Sequence, residues 1–208
     1  MTILKIPQLT TLYNSAGTNL NTVKDKRTAN KNAIAKRQSI YENLKPISTR
    51  IINFLDILGL NETTINQAKS INRLIQGYSK KSNQQKAEGE EGNNSKSTSR
   101  QSYTQTAENF SKLLQLISTV SAYNPNTNEL KLTELTTYYT ALVNATQVVN
   151  QTEAELNTAL IERNTILYND TNGLYEIALN VKKYVKSLYR ANTPEYKNVS
   201  KIKFTDTL

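Results

Sequence analysis

Hydrophobic residues recur at helical spacing along most of the chain, and the longest such stretch covers residues 134–169. This stretch contains neither glycine nor proline. Leu135, Leu142 and Val149 follow one another at seven-residue intervals, and a second series lies three positions further on. Alternating steps of three and four place both series on one side of an α-helix. The pattern predicts a coiled-coil-like helix about 54 Å long.

Five further helices are predicted, and most begin or end at a proline, a glycine or an asparagine. Pro46 is expected to end the first of them, Gly59 to follow the second and Asn61 to cap the third. The predicted spans are residues 9–44, 48–58, 62–78, a helix that begins at 102, and 174–190. The fold class that follows is all-α, an elongated antiparallel helical bundle in which two long helices form the spine.

Residues 79–100 interrupt the helical pattern. They contain a single apolar residue, Ala87, among serines, glycines, lysines and glutamates. Such a composition predicts a flexible polar linker. It separates a basic N-terminal helical half, residues 1–78, from a C-terminal half, residues 101–208, and we expect the halves to form one composite bundle. Residues 192–208 are predicted to be a tail, with Tyr196 and Phe204 spaced to pack back on the bundle.

The two long helices match each other at an offset of 126 residues. The stretch that begins with Leu9 matches the one that begins with Leu135, and the matching continues without gaps over about 32 residues. Further matched pairs are Val23 with Val149, Ala33 with Ala159, Arg37 with Arg163, and Ile40 with Ile166. The match predicts an internal duplication in which two long helices lie against each other, although a shared heptad pattern explains part of it.

The net charge of +9 is carried by residues 1–100, since residues 101–208 are balanced. Two clusters are candidates for contact with anions or nucleic acid. Their members are Lys24, Lys26, Arg27, Lys31, Lys36 and Arg37 in the first helix and Lys182, Lys183, Lys186 and Arg190 in the last. Phosphate contacts need such cations, and the interleaved Tyr184 and Tyr189 are suited to base stacking. In the competing interpretation, the acidic stretch between Glu129 and Glu176 neutralises the basic helices inside the bundle.

Arg37 and Arg163 occupy the same heptad position in the two matched helices, on the predicted apolar seam between them. A charge on an apolar seam needs partners. We expect both side chains to lie at the edge of the seam, where they extend to water or pair with a nearby glutamate. The functional alternative is a pair of equivalent anion-binding guanidiniums on a pseudo-twofold axis.

The chain contains no cysteine and no histidine. This composition excludes disulfides, thiol nucleophiles and histidine triads, and it removes the commonest metal ligand. Glu155 and Glu162 share a helix face but lie about 10 Å apart along it, too far to indicate a shared catalytic pocket. We therefore predict no catalytic residue, metal ligand, cofactor or small-molecule substrate. Without a signal peptide or a spanning apolar run, the default location is the cytoplasm, with leaderless export left open.

Several short motifs resemble those of an uncharacterised family of small helical proteins from Bacteroidota. They are residues 26–30 (KRTAN), 123–126 (YNPN), 181–187 (VKKYVKS) and 195–204 (EYKNVSKIKF). The resemblance covers nearly the whole chain and implies a bacterial origin. The family has no assigned activity, so the resemblance transfers no site residues.

The function predicted from these observations is a non-enzymatic structural, scaffolding or protein-interaction module that binds a protein partner or another copy of itself. The first alternative is a nucleic-acid binder without sequence specificity that uses the basic face between Lys24 and Arg50. A peripheral membrane-surface binder that uses the basic amphipathic helix 174–190 ranks behind both.

Overall fold

A computed structural model describes residues 5–77 and 102–204, and throughout these ranges the regular structure is helical, with no strand. A short 3-10 helix, Asn128–Leu130, precedes the second of the two long helices. The seven α-helices are α1 (Ile6–Glu42), α2 (Leu44–Asp56), α3 (Glu62–Gln76), α4 (Tyr103–Ser118), α5 (Leu132–Tyr168), α6 (Leu174–Tyr189) and α7 (Pro194–Ser200). The predicted all-α fold class is confirmed. The predicted linker, residues 79–100, lies outside the described ranges.

Polar side chains cap several helices at their first turn. The side-chain oxygen of Asn61 accepts a hydrogen bond from the backbone N–H of Thr64 at 2.8 Å, as the sequence predicts. Ser102 Oγ accepts one from the N–H of Gln105 at 3.1 Å, and Thr193 caps α7 in the same way. These oxygens satisfy N–H groups that have no acceptor within the helix, so they fix where each helix begins.

Two predicted boundaries are corrected by the structure. α1 ends at Glu42 and α2 begins at Leu44, so Pro46 lies in the first turn of α2 instead of ending α1. Proline is tolerated in a first turn because the N–H that it lacks would have no helical acceptor there. The predicted tail contains α7, which Thr193 and Pro194 begin with a favourable cap and first residue.

The chain divides into two compact units, and each unit draws on both long helices. Unit 1 comprises Met1–Asn32 and Gln151–Leu208, and unit 2 comprises Ala33–Asn150. In unit 1, α1 and α5 run antiparallel, since Lys26 bonds to Glu155 and Asn30 to Thr152. This division differs from the predicted halves because the pairing of the long helices brings together residues that are far apart in sequence.

The two long helices have the same length of 37 residues. Both their first and their last residues are separated by the 126-residue offset of the sequence match. The buried positions also correspond, as Ala16 and Leu142, Asn19 and Ala145, Val23 and Val149, and Ala33 and Ala159 are all buried. Two helices that share a heptad pattern would show the same correspondence, so the internal duplication stays a prediction.

The connected hydrophobic core of the described residues lies entirely in unit 2. It joins α2, α3 and α4 to the first half of α5, with Phe110, Leu113, Ile51 and Leu142 fully buried. In the described part of unit 1, four hydrophobic residues are buried, namely Ala16, Val23, Ala159 and Ile177. Since apolar burial is the main driving force of folding, the two units differ sharply in how much of it they have.

Tyrosine hydroxyls bond to backbone carbonyls within unit 2. Tyr138 donates to the Ile40 carbonyl at 2.7 Å, and Tyr123 donates to the Leu130 carbonyl at 2.9 Å. Burial raises the pKa of both Tyr138 and Tyr123 to about 12. Each hydroxyl is therefore held in its neutral, donating form.

We expect unit 2 to lose stability as the pH rises above about 10, the pKa of an unperturbed tyrosine. The folded state keeps the protons of Tyr138 and Tyr123 up to a pKa of about 12. Their contribution is therefore complete below the unfolded pKa and disappears as the pH rises through the folded pKa. Denaturant unfolding across this window measures the loss. Over the same rise in pH, the free energy of unfolding of Tyr138→Phe should fall by less than that of the wild type. An equal fall in the two proteins would contradict the raised pKa of Tyr138.

Candidate interaction surface

Unit 1 carries most of the exposed large hydrophobic side chains of the described residues. In unit 1 these are Ile6, Tyr13, Leu20, Ile161, Tyr184, Leu188, Tyr189, Ile202 and Phe204, and in unit 2 they are Ile57, Leu74 and Val148. Isolated exposed hydrophobic residues are ordinary, but a concentration of them is typical of surfaces that bind another molecule. Among the described residues, the unit with the smaller core thus exposes more large hydrophobic side chains.

The first part of this surface is a stripe along α1, formed by Ile6, Tyr13 and Leu20. Their spacing of seven residues places them on one face, and 79%, 72% and 48% of these residues are exposed, respectively. No residue between positions 6 and 23 is charged. Sequence reasoning missed this stripe because a seven-residue repeat in a long helix usually predicts burial, and the uncharged stretch was the signal that could have revealed it.

A cavity of about 450 Å³ lies beside the stripe, between α1 and the junction of α5 with α6. Tyr13, Ala16, Gly17 and Leu20 line it on α1, and Leu167 and Leu174 line it on the other side. A Cβ atom built on Gly17 would meet nothing within 4 Å. The absence of a side chain at Gly17 therefore leaves the cavity open in the middle of the stripe.

A tight corner between α5 and α6 positions the far wall of this cavity. The Asn169 side-chain oxygen accepts hydrogen bonds from the N–H groups of Thr171 and Asn172 at 3.0 and 3.2 Å. The N–H of Gly173 donates to the Asn169 carbonyl at 2.9 Å. The predicted break at residues 169–173 is confirmed, and it fixes the direction in which α6 leaves α5.

The second part of the surface lies on α6 and the segment that follows it. Lys182 donates to the Ile202 carbonyl and lies 4.7 Å from the ring centre of Phe204. Lys186 lies 5.9 Å from the ring centre of Tyr196. Residues 196–204 thus pack back on α6 as the sequence predicts, and cation–π contacts contribute to the packing.

Exposed residues of α6 leave a basic and apolar face beside these contacts. Tyr184 and Leu188 are one turn apart and exposed, and Lys183 and Arg190 are exposed as well. Residues 182–203 contain seven lysines and arginines against the single acid Glu195. This face is suited to a partner that offers apolar groups next to negative charge.

The first basic cluster is only partly neutralised within unit 1. Lys26 forms an ion pair with Glu155 at 2.8 Å, and this hydrogen bond lowers the pKa of the Glu155 carboxyl. Lys24, Arg27 and Lys31 are exposed on one face of α1, and within the described ranges none of them lies in ion-pair distance of a carboxylate. Internal neutralisation therefore accounts for Lys26 and leaves Lys24, Arg27 and Lys31 facing solvent.

The seam arginines find partners other than carboxylates. The guanidinium carbon of Arg37 lies 4.0 Å from the ring centre of Tyr103. Its Nε is buried, and no atom of the described residues accepts a hydrogen bond from it. Arg163 donates two hydrogen bonds to the Asn164 side-chain oxygen, at 3.0 and 2.7 Å. Arg37 thus stacks on an aromatic ring and Arg163 bonds to an amide, where the sequence suggested that a glutamate would pair with them. Arg37 and the exposed Lys36 belong to unit 2, whereas Arg163 belongs to unit 1. The anion-binding site formed by the two arginines stays a prediction.

Residues 5–77 and 102–204 contain no group of three or more acidic side chains placed to hold a metal ion. No helix in the same ranges combines the length and the apolar content that crossing a bilayer requires.

The fold of the described residues defines the class of the protein as an all-α helical bundle. Comparison of the chain with protein-family models, curated proteins and solved structures finds no match. The resemblance to the Bacteroidota family therefore stays a prediction.

Proposed function

We propose that the protein is a non-enzymatic protein-interaction module whose binding surface lies on unit 1. The observation that carries this proposal is the unequal distribution of hydrophobic side chains. Among the described residues, nine large ones are exposed on unit 1 against three on unit 2, although unit 2 holds the connected core. Exposed apolar area has a free-energy cost in water that a bound partner removes.

The exposed face of α6 indicates the chemistry of the partner surface. Tyr184 and Leu188 supply apolar contact area, and the exposed Lys183 and Arg190 lie next to them in the sequence or within two residues. Protein interfaces commonly place aromatic residues at the centre and charges at the rim. The surface that fits this face is an apolar protein surface with acidic residues at its edge.

We expect the double variant Tyr184→Ser, Leu188→Lys to lose the partner, because it removes two apolar anchors. The measurement is quantitative capture by the immobilised full-length chain from native lysate cleared of membranes and treated with nuclease. The matched control is Ile57→Lys, since Ile57 is equally apolar, 76% exposed and in unit 2.

The proposal is supported if the wild type and Ile57→Lys both retain one and the same partner protein, in a fixed ratio to the immobilised chain. The double variant of Tyr184 and Leu188 should not retain it. Equal retention by all three, or retention of nothing by the wild type, contradicts the proposal. Circular dichroism should show that all three proteins keep the same helix content, because the substituted side chains are exposed.

The exposed row of Lys24, Arg27 and Lys31 favours a second candidate, nucleic-acid binding without sequence specificity. Three cations on one face, none of them paired with a carboxylate of residues 5–77 or 102–204, match the backbone contacts that dominate such binding. Under this alternative, nuclease abolishes capture, and single-stranded DNA binds with an affinity that falls steeply as salt rises. The same capture experiment thus separates the two functions.

A further inference from the structure

We propose that the protein pairs with a second copy of itself through α1, in antiparallel orientation, with Tyr13 of each copy inserted beside Gly17 of the other. The inference rests on the proposed function, because it names one partner of the same unit 1 surface. It is carried by the shape of the α1 stripe, by the absence of charge along it and by the position of the cations at its end.

The cavity beside α1 has the geometry of a socket for a helical side chain. Tyr13, Ala16, Gly17 and Leu20 stand at positions i, i+3, i+4 and i+7. Four residues at this spacing form the hole into which a packed partner helix inserts one side chain. Ala16 is buried and forms the floor, while Gly17 leaves the opening free.

The same stripe supplies a side chain of the kind that fills such a hole. Tyr13 is 72% exposed and projects from the face that carries the hole. A twofold axis between two antiparallel α1 helices lets each copy give one tyrosine and receive one. The surface is therefore self-complementary, which a site for an unrelated helix would not need to be.

The charge distribution favours a second copy at this place. Two molecules with a net charge of +9 repel each other, so a contact between them is favoured at a surface where no like charges meet at close range. Residues 6–23 form 18 consecutive positions without a charge, occupied mainly by threonine, asparagine, leucine and small residues. The central part of a protein interface is depleted in charge in the same way, and tyrosine is enriched there.

The cations at the end of the stripe determine the orientation of the pair. Arg27 continues the seven-residue series of Ile6, Tyr13 and Leu20, and Lys24 and Lys31 flank it on the same face. A parallel pair would bring these two basic rows together. In the antiparallel pair, with Tyr13 opposite Gly17, the two arginines lie about 36 Å apart along the helix axis. At that separation salt screens their repulsion almost completely.

The first test is the oligomeric state of the full-length chain, measured by sedimentation velocity over a concentration series. A contact through one helix is at the small end of specific interfaces, so we expect a dimer with a micromolar dissociation constant. Because the contact surface is uncharged, raising the salt should leave the dimer intact or strengthen it. A strictly monomeric wild type, or a dimer that dissociates as salt rises, overturns the proposal.

Gly17→Glu is the decisive variant, because it places a charged side chain in the hole. A Cβ atom at Gly17 has no neighbour within 4 Å among the described residues, so the new side chain starts in open space, and the helix propensity at this position improves. We expect association about tenfold weaker or more, with the melting temperature kept or raised. Ile57→Glu in unit 2 is the matched control and should dimerise like the wild type. Undiminished association of the Gly17 variant overturns the inference.

The orientation is testable because the chain has no cysteine. In the antiparallel pair, Thr10 of one copy faces Leu20 of the other, so a mixture of Thr10→Cys and Leu20→Cys proteins should form mixed disulfides faster than either protein alone. A parallel pair would instead cross-link each variant with itself, and that result would overturn the antiparallel arrangement. Both variants keep Tyr13 and Gly17 unchanged.

The oligomeric state and the capture experiment together separate the self-association from the proposed function. If the wild type is monomeric but retains a protein through Tyr184 and Leu188, the self-association is wrong and the interaction module stands. If the wild type is monomeric and retains nothing, both are wrong. Recovery of anionic vesicles by the wild type but not by the Gly17 variant would assign the stripe to membranes and overturn the inference.

Discussion

Replacement of Phe110 by alanine should destabilise the protein by about 3–5 kcal/mol, the usual range for removing a buried phenylalanine from a core. Phe110 has no exposed surface and belongs to the connected core of unit 2. Its ring packs edge-on against Tyr138 with 5.8 Å between the ring centres. Such aromatic pairs add to the free energy of apolar burial.

The cavity left by this change would also loosen a hydrogen bond between helices. Tyr138 is positioned by Phe110 on one side and by its bond to the Ile40 carbonyl on the other. Urea unfolding followed by circular dichroism measures the loss. Ile57→Ala, at a position that is 76% exposed, should stay within about 0.5 kcal/mol of the wild type. A Phe110 variant as stable as this control would contradict the placement of the core.

Replacement of Gly173 by alanine should destabilise unit 1 by about 2 kcal/mol or more, in the upper part of the usual range for single substitutions. A Cβ atom at this position would lie 2.5 Å from the Asn169 nitrogen and 2.6 Å from its carbonyl oxygen. Backbone atoms cannot rotate away as a side chain can, so the corner between α5 and α6 must open. The backbone conformation itself is ordinary, and the close approach is the reason for glycine.

Gly17→Ala is the matched control for Gly173→Ala, since both replace one glycine by the same residue. Gly17 lies inside α1, and nothing stands within 4 Å of a Cβ built there. Alanine in a helix interior is favoured over glycine by about 0.5–1 kcal/mol. Thermal unfolding should therefore move in opposite directions for the two variants. A lower melting temperature for Gly17→Ala would contradict the open space around Gly17. An unchanged melting temperature for Gly173→Ala would contradict the close approach of Gly173 to the backbone of Asn169.

The helices were predictable because their signals are local. The seven-residue series of α5, the asparagine cap of α3 and the break after residue 168 all depend on side chains within one or two turns of each other. The boundary at Pro46 was predicted wrongly because proline is compatible with two places, just after a helix and within a first turn. The neighbouring residues of Pro46 do not distinguish these places, and packing of α2 on the core decided between them.

The candidate interaction surface was less predictable. The basic residues were found from composition, but sequence could not tell that Lys26 pairs with Glu155 while Lys24, Arg27 and Lys31 face solvent. Such ion pairs depend on which residues of a second helix lie opposite the basic residues of α1. The same limit applies to Arg37, whose stacking on Tyr103 joins positions in different helices.

The helical character, most helix ends and the positions of the charges can be read from the amino-acid order alone, because they follow from spacing and from neighbouring residues. Which apolar stripes are buried depends instead on how the helices pack. Leu135, Leu142 and Val149 are enclosed, whereas Ile6 and Tyr13, which share their spacing, face solvent. A stripe is buried only where another element covers it, and a single stripe carries no information about what lies opposite.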